Sequence, residues 1–327
     1  PIGTGAYRPV EYIVGERAVI EKTPDHVWWN TGNGAFLDRI EFIDYGTHPV
    51  SALRALEAGE IDMTYQSVGE FISILDGLGF VRYETETAAT LVCRANARAD
   101  FDGMRPYSDV RVRRALALAV DNQIVLEIGY ANRGTLAENH HVAPVHPAYA
   151  ELPPRVANPD AALALMTEAG LEDFEHEIIS LDDGFERDST DAIAAQLRDA
   201  GFNVTRTVLP GSTYRDGWRD FAFSTTTWNH RPLDIQIPLL AYKSDGVWNE
   251  TGFANEEYDR LLSEASALAD ADARREKMRR LQEILQDEGV IIQPYWRTLY
   301  RHMVPGLVNA EMHPQFEIPY QYIGFQP

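Results

Sequence analysis

The run from His176 to Leu209 constrains the fold of this chain more than any other stretch. His176–Leu181 reads as a strand, Ser189–Ala200 as a helix closed by Gly201, and Asn203–Leu209 as a second strand. Two strands joined through a helix of that length run parallel with a right-handed crossover, and a parallel pair is stable only when both of its faces are covered. The expected architecture is therefore α/β, with helices layered on a sheet. Further helices follow from their punctuation. Asn158 caps one that has Pro159 at its first position and ends at Gly170, Asn255 caps one through Ala267, and Asp270 starts one that ends at Gly289. In the last of these, Met278, Leu281, Ile284 and Leu285 form a core-facing stripe, so Arg274, Arg275, Lys277, Arg279 and Arg280 read as its solvated face.

The first part of the chain has shorter elements. Glu11–Val14 and Arg17–Glu21 flank Gly15-Glu16 as a hairpin, and Leu37–Tyr45 alternates as a strand. Val50–Ala58 is helical up to Gly59, and Ile61–Tyr65 resumes an extended run, a strand-helix-strand unit that predicts a parallel or mixed sheet. Asp109 caps a helix with Val112, Ala115, Leu116 and Ala119 on one face and Arg111, Arg113 and Arg114 mostly off it. Phe221–Thr227 and Val290–Trp296 read as strands, and the tail to Pro327 is Pro-rich and irregular.

A chain of 327 residues with 45% apolar content can bury a large core, and its length favours two domains. With 29 basic and 50 acidic residues and a net charge of -21, it repels polyanions over most of its surface, which argues against a nucleic-acid or anionic-membrane partner. The lone Cys93 excludes an intrachain disulfide and sits in a buried-strand pattern as a small core residue. No apolar run reaches the roughly 18 to 20 residues of a membrane helix, and Pro1 opens directly into PIGTGAY without a basic n-region, so any export signal is absent from this sequence.

Several segments, in order, resemble one family. RPYSDVRVRRALALAVD at 105–121 resembles the signature of extracytoplasmic solute-binding proteins of the peptide/nickel class. PIGTGAY at 1–7 resembles that family's Gly-Thr-Gly-Pro-Tyr turn, with Ala6 in place of proline, and LEAGEID at 56–62 its Ala-Gly-Glu-Ile-Asp segment. Asn96 followed by Asp109–Asp121 is similar to a Phe-Asn strand end and the helix after it, although Ala95 precedes the asparagine here. AAQLRDAGFNV at 194–204 and NEEYDRLLSEA at 255–265 extend the likeness over nearly the whole chain. The resemblance implies a two-lobed periplasmic-binding-protein-like fold of type II, with the first lobe incomplete because the family chain has a large portion before the Gly-Thr-Gly turn. Residues 1–95 and 295–327 would then be the remainder of a discontinuous lobe I and residues 96–294 lobe II, with hinge strands near Asn96 and Ile291–Tyr295 and the ligand between the lobes. It further implies a monomeric, periplasmic or cell-surface carrier that delivers a peptide or other small organic solute, including an anionic one, to the permease subunits of an ABC importer. No catalysis, cofactor or metal is implied.

The candidate site is Trp228-Asn229-His230-Arg231-Pro232-Leu233-Asp234, directly after the strand 221–227. In the resembled family this tryptophan packs on the ligand, and an acidic residue three positions later pairs with a peptide's ammonium. Here the third position is Arg231, which would repel an ammonium by several kcal/mol, on the order of 4 at ~4 Å. Two readings stay open: Arg231 makes a forked contact to a carboxylate, sulfonate or similar anion while Trp228 stacks on the apolar part of the ligand, or Arg231 pairs with Asp234 beside an uncharged ligand. Tyr65 and Gln66 are candidates for a wall contributed by the first lobe.

His140, His141 and His146 match no standard metal-ligand spacing and read as solvated residues of a Pro-flanked loop. The rival from another class is a hydrolase using two carboxylates from Asp182, Asp183 and Glu186; LDDGFE reads instead as a polar turn with solvated carboxylates. A ligand sensor not coupled to transport is the third alternative. Gly-x-Ser-x-Gly and His-Glu-x-x-His are absent, and GTG at 3–5 lacks the lysine of a phosphate loop.

Overall fold

A computed structural model describes residues 3–46 and 49–326. The chain divides into two compact units, Pro1–Thr85 with Leu299–Pro327 and Glu86–Thr298.

The first unit opens with the hairpin β1 (Tyr7–Ile13) and β2 (Arg17–Lys22), which turns through Gly15 at φ 76°; β3 (Arg39–Ile43) pairs antiparallel on the other side of β2. Helices α1 (Pro49–Glu57) and α2 (Phe71–Gly77) follow, the second of them not foreseen from sequence. The strand-helix-strand unit expected to build a parallel or mixed sheet does not pair its own two strands: β3 pairs antiparallel with β2. The extended segment after α1 bridges antiparallel to a distant strand, Met63 to Met303 and Ser67 to Tyr300. Alternation identifies an extended run but not its partner, and here that partner lies more than 200 residues away.

Strand β4 (Val81–Ala95) leads into the second unit, which continues with α3 (Val110–Leu118), α4 (Asn122–Tyr130), β5 (Gly134–Leu136), α5 (Pro159–Glu168), β6 (His176–Leu181), α6 (Gly184–Asp199), β7 (Val204–Leu209), α7 (Gly211–Gly217), β8 (Phe223–Trp228), α8 (Glu256–Ser266) and α9 (Ala271–Asp287). Strand β9 (Tyr295–Met303) leads back to the first unit, where β10 (Leu307–Val308) pairs with β11 (Gly324–Phe325). The main sheet has the order β5-β9-β4-β8-β6-β7. β6 and β7 are parallel from His176↔Val204 to Leu181↔Leu209, the pairing expected of the strand-helix-strand run. β8 lies parallel to β6 and antiparallel to β4.

Period-2 alternation builds a core on each face of this sheet. Leu91, Cys93 and Ala95 of β4 point to a cluster completed by Val112 and Leu116 of α3, Met166 of α5, and Ile193 and Leu197 of α6. Val92, of opposite parity, packs with Tyr258 and Leu262 of α8 and Met278 and Leu281 of α9. Residues 87–95 are consequently buried without a break, as a central strand covered on both faces requires.

Two boundaries and one burial stand out against the sequence reading. Helix α6 starts at Gly184 rather than Ser189, because Phe185 and Glu186 are themselves buried against the sheet. The strand expected at Val290–Trp296 begins only at Tyr295, since Pro294 has no N–H to give a ladder; before it, Ile292 makes one bridge to Cys93. Arg113 is buried rather than off the core face, donating to the carbonyls of Tyr107 and Ser108 and to Glu288 at 2.8 Å.

Arg113 also marks the tightest contact behind α9. Gly289 sits at φ 59°, and a Cβ there would lie 2.6 Å from the Arg113 carbonyl carbon and 2.7 Å from its oxygen, whereas a Cβ on Gly170 at φ 69° meets nothing. Gly170→Ala is therefore expected to cost about 1 kcal/mol, the left-handed backbone penalty alone, and Gly289→Ala at least ~3 kcal/mol, read by urea denaturation. Equal losses would contradict this packing of α9 against α3.

Candidate ligand-binding site

In the parallel part of the sheet, ligand contacts are expected beyond the carboxyl ends of the strands. At that edge β8 ends in Thr225-Thr226-Thr227-Trp228, and alternation sends its side chains two ways. Thr225 and Thr227 face α6, where Thr225 Oγ1 meets Thr190 Oγ1 at 2.8 Å and Thr227 Oγ1 donates to Glu186 Oε1 at 2.6 Å. Thr226 and Trp228 face the other core and both donate to Glu250, Thr226 Oγ1 at 2.7 Å and the indole Nε1–H at 2.9 Å. Arg94 completes this hub: its Nε lies 3.1 Å from Glu250, and its remaining nitrogens donate to the carbonyls of Phe221 and Trp218. Arg94 is fully buried and Glu250 1% exposed, so each charge is neutralised and hydrogen-bonded where water is absent.

Trp228 is accordingly only 5% exposed, edge-on to His141 with ring centroids 5.6 Å apart and close to Trp218 and Trp248. Its indole N–H is committed to Glu250. Beyond it, Asn229 is exposed and His230 half-buried, with Nδ1 accepting from the Ala88 N–H at 2.9 Å. Arg231 is half-buried; its carbonyl accepts from His146 Nε2 at 2.9 Å, while its guanidinium has no hydrogen bond or ion pair among the described residues. Asp234 corrects two expectations at once. It is 1% exposed and pairs with Arg274, Oδ1 to Nε at 2.9 Å, while the Ala148 N–H donates to its other oxygen. It therefore neither pairs with Arg231 nor stands open to a ligand. Arg274, read as part of a solvated face, is likewise buried, because the chain after β8 folds onto α9 with a carboxylate that needs a cation.

The histidine loop is also not solvated. His140, His141 and His146 are at most 5% exposed, and burial depresses the basicity of all three, that of His141 to about 3. His146 Nδ1 accepts from the Ala143 N–H, so its Nε2 carries the proton given to Arg231. His146 thereby ties down the loop after β8, while His141 bonds the Tyr242 hydroxyl and His140 bonds Glu138; among the described residues, no group of three or more His, Cys, Asp or Glu is placed to hold a metal ion. Tyr65 and Gln66 belong to the first unit. Tyr65 is exposed and stacks on Phe316 at 5.0 Å, its carbonyl accepts from Arg301, and Gln66 Nε2 is a buried donor without a partner.

The same edge brings together three groups that sequence reasoning left as turn residues or did not name. Parity places Arg297 on the face of β9 that carries Tyr295, toward α4 and α6. Its Nε donates to Tyr130 Oη at 3.2 Å, its guanidinium carbon lies 4.0 Å from the Phe185 ring centroid, and its Nη2 is buried with no partner. Glu186, 6% exposed, is pushed up to about 7, first by burial and then by Asp183, against the Thr227 hydrogen bond and the charges of Arg297 and Arg215. Asp183 stands at the N-cap of α6 without capping it, and burial raises its carboxyl as well. Solvated turn carboxylates were expected here, and that holds only for Asp182. The signal available in sequence was an arginine directly after Tyr295-Trp296 within a strand.

A carboxyl raised from its ordinary 4.5 to about 7 favours the protonated folded state, so this stability is full below pH 4.5 and is lost as pH rises through 7. Relative to the native chain, Glu186→Gln is expected to gain stability between pH 4.5 and 8, by about 3 kcal/mol at most. Denaturant titration at both pH values checks this, and a pH-independent difference would contradict it.

Comparison with known proteins agrees with this architecture. The profile described as bacterial extracellular solute-binding proteins, family 5 Middle, matches residues 1–250. The probable deoxycholate-binding periplasmic protein YgiS of Escherichia coli is 24% identical over 322 residues, covering 94% of this chain and 58% of that protein. The periplasmic oligopeptide-binding protein OppA of Haemophilus influenzae is 24% identical, covering 94% of this chain and 57% of that protein. The chain thus spans less than two thirds of the length of the curated relatives it matches. Among solved structures, the Escherichia coli murein tripeptide binding protein MppA superimposes with a TM-score of 0.85 at 20% identity, covering 98% of this chain and 64% of that one. The Haemophilus influenzae OppA complex with a peptide gives 0.83, also at 20% identity, covering 99% and 64%. The fold is the α/β fold of two-lobed periplasmic binding proteins, and the chain belongs to the bacterial extracellular solute-binding proteins of family 5.

Proposed function

We propose that this chain is the ligand-capturing part of an extracytoplasmic, monomeric solute-binding protein that delivers a peptide or other small organic solute to the permease of an ABC importer. The family match over residues 1–250 carries the reading. The edge of the second unit supports it, because its polar groups are held in fixed positions by second partners: His230 by Ala88, the Arg231 backbone by His146, and Arg297 by Tyr130. Such preorganised donors and acceptors suit recognition. In the relatives' names the ligands are oligopeptide, deoxycholate and heme, so the family does not select one. No helix among the described residues is long and apolar enough to cross a membrane, and the relatives YgiS and OppA are named as periplasmic proteins.

Two-carboxylate hydrolysis is less well supported. That chemistry needs one carboxyl raised and its partner kept ionised, and here Asp183 and Glu186 are both raised by burial. Asn229, His230 and the unpaired Arg231 guanidinium are the contacts that the loop after β8 offers, with Trp228 as the packed floor beneath them; Tyr65 and Gln66 are the corresponding candidates on the first unit.

Mass spectrometry of the natively purified protein is expected to detect a copurifying organic solute at near one-to-one stoichiometry. Calorimetry with that solute, if it is an anion, should show Arg231→Ala weakening binding about tenfold or more, the size of a charge-assisted hydrogen bond. Tight binding of ordinary peptides that survives Arg231→Ala would remove the anion contact, and an enzymatic turnover product in place of a retained solute would overturn the carrier reading.

A further inference from the structure

An imidazole nitrogen that accepts a hydrogen bond from a backbone N–H must carry no proton, because the N–H can only donate. His146 is held in that way. Its Nδ1 accepts from the Ala143 N–H at 2.9 Å while its backbone N–H donates to the Ala143 carbonyl at 2.9 Å, a closed turn that fixes the ring. Its Nε2–H is spent on the Arg231 carbonyl at 2.9 Å. A second proton on this ring would set two donors head to head at Ala143, and turning the ring over gives no relief, since a protonated imidazole has no acceptor at either nitrogen. The tie between the histidine loop and the loop after β8 therefore requires the neutral ring.

The surroundings do not offset this. His146 is 5% exposed, and burial lowers its basicity from the ordinary 6.5. From its own loop it faces His140 and His141, which are buried as well, the first of them bonded to Glu138. From the loop after β8 it faces the His230 ring, with centroids 6.3 Å apart, the Arg231 backbone, and Asp234. Asp234 would favour a charged His146, but it is already paired with Arg274 of α9 at 2.9 Å, and Arg275 of the same helix donates to the carbonyls of Pro147 and Tyr149. His141 also stands at φ 64°, in the left-handed region, so release of this loop relieves backbone strain.

We propose that His146 is a positioning residue for solute capture, a latch that holds the Arg231 backbone in place as the neutral imidazole and frees the loop after β8 in acid. This rests on the solute-binding reading, in which that loop supplies contacts to the solute. With the latch closed the ring titrates below 6.5, and with the latch open near 6.5. The latch is thus fully present above pH 6.5 and weakens as pH falls below it, the opening constant rising about tenfold per pH unit until the closed ring itself takes up a proton.

Hydrogen–deuterium exchange of the full chain, corrected for the intrinsic pH dependence of amide exchange, tests the latch without any solute. Between pH 7.5 and pH 5 the opening of residues 229–234 should rise by about tenfold or more, while β6 and β7 stay unchanged as the internal reference. His146→Gln, whose amide can donate to the Arg231 carbonyl but takes up no proton, should limit that rise to about threefold; His146→Ala should open the loop already at pH 7.5 and show the same reduced rise. No rise in the native chain, or a rise of native size in both variants, overturns the latch. Should the variants not fold, NMR of the native chain labelled with 15N-histidine decides: the Nε2–H tautomer of His146 wherever residues 229–234 are protected supports the latch, and a doubly protonated ring beneath a protected loop overturns it. Calorimetry with the copurified solute then reads the consequence: affinity should fall about tenfold or more from pH 7.5 to pH 5 in the native chain and about threefold at most in His146→Gln. Equal losses overturn the role of the latch in capture and leave the carrier reading standing; if no solute binds at pH 7.5, both fall.

Discussion

The buried contact between Arg94 and Glu250 fixes the end of β8, from which the candidate site is built. Arg94 lies on a strand covered on both faces, so its charge must be neutralised within the core. Glu250 does this while also receiving Thr226 and Trp228 from β8. One carboxylate thereby fixes the strand neighbouring β4 and the loop that leaves its end. Removing either partner would leave the other buried and unpaired, a loss of about 3 to 5 kcal/mol by general experience.

From that fixed strand, parity does the rest. Odd positions of β8 and β9 face α6 and place Thr227, Glu186 and Arg297 in one neighbourhood, whereas even positions of β8 reach Glu250 and, through Trp228, the second core. The unit thus holds two kinds of partly or fully buried arginine. The first kind, Arg94, Arg113 and Arg274, have their carboxylates at ion-pair distance; the second kind, Arg231 and Arg297, do not.

The sequence made local elements legible wherever the punctuation was strong. Asn158, Asn255 and Asp270 do cap their helices, each side chain accepting from a backbone N–H three residues on, and the parallel β6–β7 pair follows from the helix between its strands. Long-range pairing was not legible: the segment at Met63 pairs across 240 residues of chain, and no periodicity names such a partner. The same limit hid the burial of Arg113, Arg274 and the loop histidines. A charged or polar residue in a helical or Pro-flanked segment reads as solvated until its partner is known, and Glu288, Asp234 and Tyr242 come from distant parts of the chain. Around the candidate site, Asn229–Arg231 came from the motif, whereas Glu186 was named only as a solvated turn carboxylate and Arg297 not at all, because only the fold brings residues 186 and 297 to one edge.

The central claim, that this edge of the second unit accommodates a guest, is tested most directly by hydrogen–deuterium exchange of the full chain with its copurified solute present and removed. The account predicts ligand-dependent protection concentrated in residues 183–187, 227–231 and 295–298, around the Thr227–Glu186 contact and the His230–Ala88 anchor. Protection confined to other segments, with these three unchanged on solute binding, would contradict it.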